Sequence, residues 1–101
     1  MRIKRLKMKT YAVMFGEIEN NSTPNQCQNK IEEMLSKYES TKIVENVWII
    51  KTRETTNQIR SKISTLTQDE YTILVLDLND SSWSGYNLTY STKDWLYENL
   101  E

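Results

Sequence analysis

Histidine is absent from this chain, and cysteine occurs once, at Cys27. An internal disulfide therefore cannot form. Zinc centres, Ser-His-Asp triads and Cys-His dyads each need histidine or several thiols, so those classes fall away. Any general acid or base must come from Asp, Glu, Lys or Tyr. No apolar run approaches the ~20 residues that cross a bilayer. The basic start looks like the head of a signal peptide, but the apolar stretch after it is broken at Gly16 and Glu17 and no cleavage site follows. The expected location is the cytoplasm, with no membrane partner.

The 101 residues suit one domain, and such a domain buries roughly two-thirds of its unfolded surface. Hydrophobic residues make up 38% and charged residues 27%, a globular balance on the polar side. Net charge is −1, but the signs are unevenly spread. Arg2, Lys4, Arg5, Lys7 and Lys9 form a basic N-terminal arm over residues 1–9. The domain proper, residues 10–101, then holds eight basic residues against fourteen acids, a net −6. An acidic body repels phosphate, so nucleic-acid binding is expected only through the arm. The simpler reading of residues 1–7 is a leader upstream of an alternative start at Met8.

Tyr11 to Ile18 reads as a first, two-sided strand. Thr23 and Pro24 open a helix, with Cys27, Ile31, Met34, Leu35 and Tyr38 along one apolar stripe. Residues 41–52 hold two short strands with a break at Glu45-Asn46. A second helix starts near Thr55, where Gln58 completes a capping box and Ile59, Ile63 and Leu66 share a face. Residues 71–78 are the next strand, with Asp77 on the same face as Ile73 and Val75. Tyr86 to Tyr90 reads as a short fifth strand, and Ser91 with Asp94 as the cap of a last helix. The order is β-α-β-β-α-β with a C-terminal strand and helix appended. That is the ferredoxin-like α+β arrangement, an antiparallel sheet with both helices on one face. Its other face needs cover from a second subunit or the C-terminal segment.

"MKTYAVMF", "VENVWIIKTRETTNQIRSKI", "TILVLDL" and the closing "W-S-G … DWL" resemble the SinR-like branch of the Cas-two-like superfamily. These are small ferredoxin-fold proteins kin to the CRISPR-associated endoribonuclease-type dimer and to VapD-type toxins. The resemblance runs over residues 8–100. It implies a homodimer, often with an exchanged C-terminal strand. In active relatives the first strand ends in an aromatic followed by aspartate, and the paired aspartates approach a metal ion that assists phosphodiester hydrolysis. Here Phe15 is the aromatic and Gly16 follows it. Glu17 comes one place later, and alternation along a strand aims it at the other face unless Gly16 hosts a bulge.

Candidate sites follow, each beside its simpler reading. Glu17 and Glu19 are a candidate divalent-metal pair or a solvated strand exit, the latter favoured. Asp77 is a candidate second acid or a structural aspartate. Trp48 is a base-stacking platform or, preferably, core or dimer interface, and Tyr86 and Tyr90 line an interface. Trp83 and Trp95 pack the C-terminal segment. Cys27 is a small core residue. No cofactor is expected. Mg²⁺ or Mn²⁺ enters only in the alternative of an RNA or DNA endonuclease built on Glu17 and Asp77. The favoured function is a non-catalytic dimeric module acting through a protein or nucleic-acid partner in mobile-element or CRISPR-linked biology. A third reading is a phage-borne inhibitor of a host defence protein.

Overall fold

The computed structural model describes residues 8–18, 26–79 and 82–100, with the backbone alone of Gln26. Four strands and three helices follow one another: β1 Lys9–Glu17, α1 Gln26–Ser36, β2 Glu39–Val44, β3 Val47–Thr52, α2 Thr56–Thr67, β4 Tyr71–Asp77 and α3 Tyr90–Asn99. The strands form one sheet in the order β2-β3-β1-β4, and every neighbouring pair is antiparallel. The chain is thus α+β with a four-stranded antiparallel open sheet, compatible with a ferredoxin-like fold. Thr23 and Pro24, the expected cap of α1, lie outside the described residues.

Alternation along β1 generates the core. Tyr11, Val13 and Phe15 are buried, whereas Ala12, Met14 and Gly16 between them point to the opposite face. Register carries the split to the neighbours. Tyr11 faces Ile50, Val13 faces Trp48 and Val75, and Phe15 faces Ile73. These side chains join Ile31 and Leu35 of α1 and Ile59 and Ile63 of α2 in one cluster. Burying each such aliphatic side chain contributes about 1.5–3 kcal/mol. Leu96 and Leu100, buried at the end of the chain, stand outside that cluster.

Local chemistry explains the element ends. Thr55 caps α2: its Oγ1 accepts from the Gln58 amide at 3.1 Å, and the Gln58 side chain accepts from the Thr55 amide at 2.8 Å. Gln68 closes the helix in the left-handed conformation at φ 53°. Asn46, at φ 65°, supplies the turn between β2 and β3, as asparagine can. The apolar stripe predicted a helix reaching Tyr38, but α1 ends at Ser36. The Lys37 and Tyr38 amides instead bond to the carbonyls three residues back, and this tight turn still packs Tyr38 against the core.

The C-terminal segment differs from expectation. Among the described residues 86–90 there is no fifth strand; α3 begins at Tyr90. Its cap is Thr89, whose Oγ1 accepts from the Thr92 amide at 3.2 Å, not Ser91. Asn87, at φ 60°, breaks the extended run that the sequence suggested. Thr89→Ala is therefore expected to cost about 1 kcal/mol in urea unfolding. Ser91→Ala should stay within about 0.5 kcal/mol of the parent.

Candidate functional site

The end of β1 carries the question of catalysis. Gly16 pairs with Thr72 and Glu17 with Tyr71, continuing an unbroken register from Tyr11 onward. No bulge re-aims Glu17. Gly16 lies on the face of Ala12 and Met14, and Glu17 on the face of Phe15 and Tyr71. A Cβ built at Gly16 meets no atom within 4 Å, and its φ is not positive. Nothing among the described residues therefore demands glycine there. Glu19 lies outside the described residues.

Asp77 stands at the far end of the same strand pair, opposite Tyr11. Six residues of extended chain, about 20 Å, separate Tyr11 from Glu17. A single chain therefore does not bring Glu17 and Asp77 to one ion. Asp77 Oδ1 accepts from the Asn79 amide at 2.9 Å, and Oδ2 lies 3.8 Å from Lys9 Nζ. Both groups are well exposed, so this pair contributes little. Lys9 is thus the first residue of β1; Arg2, Lys4, Arg5 and Lys7 lie outside the described residues.

Trp48 belongs to the buried cluster, 8% exposed. It also borders a cavity of about 480 Å³ at the β2 edge, with Thr41, Thr92 and Trp95 among the lining residues. Tyr86 and Tyr90 are 89% and 85% exposed, open to a partner. Trp83 packs edge-on to Tyr97 and donates its indole N–H to the Leu100 carbonyl at 2.9 Å. The Cys27 thiol is partly buried and donates to the Leu66 carbonyl at 3.7 Å.

On the non-core face, α3 lies over β2 and β3. Thr92 and Thr41 share a hydroxyl–hydroxyl hydrogen bond at 3.0 Å, and Lys51 Nζ donates to Asn99 Oδ1 at 3.1 Å. The β4 side of that face is different: Leu74 is 49% exposed and Leu76 44%. These leucines face Met14 and Ala12 across the ladder. Polar strand-out alternation fails here, leaving an apolar strip next to an edge strand that has no lysine or proline.

One polar cluster was not foreseen. The Tyr38 hydroxyl donates to Glu54 Oε1 at 2.5 Å, and Lys62 Nζ bonds to Glu54 Oε2 and, at 3.2 Å, to the Tyr38 hydroxyl. Tyr11 adds a 2.7 Å bond from its hydroxyl to the Glu54 carbonyl. Only the positions in space of the turn after α1, the loop after β3 and α2 make this cluster, so no sequence spacing announces it. Burial, then the Glu54 carboxylate, pushes the Tyr38 hydroxyl up. Burial alone would raise Glu54, but the bonds from Lys62 and Tyr38 and the Lys62 charge outweigh it and hold the carboxyl below its ordinary 4.5. Hydrogen bonds to Glu54 and Tyr38 raise Lys62.

No protein-family model matches the chain, and no curated protein or solved structure matches it. The family resemblance rests on the quoted residues alone.

The cluster has a pH signature. Because Glu54 is lowered in the folded chain, its ionised form stabilises the fold above 4.5, and that contribution is lost as pH falls through the folded value. Lys62 is raised, so its contribution is present below 10.5 and lost as pH rises through its folded value. The Lys62 side chain is 48% exposed, and water screens the pair. Glu54→Gln should unfold at lower urea than the parent near neutral pH, and the gap should narrow as pH falls below 4.5 and through the folded value.

Proposed function

We propose that this chain is a homodimeric binding module of the Cas-two-like kind that lacks the strand-end carboxylate of active relatives and works by holding a partner. The fold is the ferredoxin-like one, with α1 and α2 on one face of the sheet. The second copy covers the strip that α3 leaves open. What carries the reading is the exposure of Leu74 and Leu76 beside Ala12 and Met14, on the same face as Gly16. An exposed apolar strip along a free sheet edge is the usual mark of an interface. The place where a metal-gripping acid would stand on that face is occupied by glycine, and Glu17 belongs to the other face.

Sedimentation velocity should give a dimer for the parent and a folded monomer for Leu74→Lys/Leu76→Lys. A parent that stays monomeric at high concentration contradicts the pairing. Labelled RNA and duplex DNA should survive incubation with Mg²⁺ or Mn²⁺. Cleavage that is lost in Glu17→Gln, with the fold intact, would favour the nuclease alternative instead.

A further inference from the structure

A groove of about 730 Å³ runs between α1 and α2, with Lys30, Glu33, Met34, Lys37, Lys62 and Leu66 along its walls. Met34 and Leu66 are its apolar side chains, and the long aliphatic stems of its lysines extend that character. Its charge contrasts with the rest of the body. Residues 10–101 carry −6, yet three of their eight basic residues border this one groove. Lys62 is matched by Glu54. Neither Lys30 nor Lys37 has an ion-pair partner among the described residues. Lys30 stands on α1 and Lys37 in the turn just past its end, seven residues on, roughly 10 Å away if the helical rise is carried into that turn.

We infer that this groove docks an acidic amphipathic helix of a partner protein. The match is one of spacing as well as sign. A helix laid along α1 with acids at i and i+7 meets Lys37 and Lys30, and apolar side chains at i+3 and i+4 fall between them onto Met34 and Leu66. This is the helix-in-groove mode, in which a short apolar anchor set fixes the register. The paired charges at the rim speed encounter and reject basic helices, while the apolar contacts hold the complex. Glu33, between the two lysines, adds a penalty for acids placed at the middle of the partner helix. A nucleic-acid strand has phosphates in place of that apolar stripe and leaves Met34 and Leu66 unused. The inference rests on the chain being a binding module, but not on its being a dimer, because the strip of Leu74 and Leu76 lies on the face of the sheet away from the core cluster.

The test uses the full chain and fluorescence anisotropy with labelled synthetic helices of roughly 18 residues. One peptide carries Glu at i and i+7 with Leu at i+3 and i+4; a second has Lys in place of Glu; a labelled single-stranded oligonucleotide is the third probe. The acidic peptide should bind saturably, more weakly as salt rises. Lys30→Glu/Lys37→Glu should weaken it about tenfold or more and should gain affinity for the basic peptide. Circular dichroism of the variant controls for folding, since both lysines are at the surface. Leu74→Lys/Leu76→Lys should bind the acidic peptide as the parent does, so a failed dimer and a failed groove are told apart. Equal affinity of parent and Lys30→Glu/Lys37→Glu for the acidic peptide overturns the inference. So does the absence of saturation up to about 1 mM, or Lys30- and Lys37-dependent binding of the oligonucleotide without binding of the peptide.

Discussion

The unbroken alternation of β1 is the constraint on which the rest depends. Tyr11, Val13 and Phe15 go to one face and Ala12, Met14 and Gly16 to the other, with β3 and β4 following the same register on either side. A slip of one residue would exchange those sets and turn Tyr11, Val13 and Phe15 out of the core cluster. Burial of Val13, Ile50, Ile31 and Ile59, each fully inside, makes that slip prohibitively costly. The same register decides the chemistry at the strand end. It gives Glu17 to the side of Tyr71 and glycine to the side where Leu74 and Leu76 are exposed.

Two polar devices tie the periphery to this frame. Glu54, just after β3, gathers Tyr38, Lys62 and, through its carbonyl, Tyr11, so one residue joins β1, α2 and the turn after α1. Lys42 does the same at the β2 edge, bridging Glu32 of α1 at 2.9 Å and Glu45 of the following turn at 2.7 Å. On the far face α3 is fastened by Thr92 to β2 and by Asn99 to β3, while Leu74 and Leu76 of β4 stay exposed. The molecule is therefore asymmetric in cover. The core side of the sheet is filled, one half of the other side is capped, and the remaining half is apolar and open.

Much of this was legible in the chain. The stripe of Ile59 and Ile63 and the Thr55–Gln58 box located α2, because capping and helical spacing are local rules. The β2–β3 break at Glu45-Asn46 and the shared face of Ile73, Val75 and Asp77 were readable for the same reason. The C-terminal segment misled. Tyr86 to Tyr90 has strand composition, but Asn87 turns the backbone and Thr89 competes successfully with Ser91 for the cap. Strand propensity is a weak preference that tertiary context overrides. The Tyr38–Glu54–Lys62 cluster and the lysine-bordered groove were invisible because each joins elements far apart in sequence. Alternation placed Glu17 on the face opposite to Gly16; a bulge at Gly16 was compatible with the same residues, and the unbroken β1–β4 register excludes it.

We propose that a second copy covers the open half of the sheet. Hydroxyl-radical footprinting across a range of protein concentrations tests it at the side chains themselves. Met14, Leu74 and Leu76 should lose reactivity as concentration rises, while Met34 in the helix groove keeps its own. Unchanged reactivity of all four across that range would contradict it.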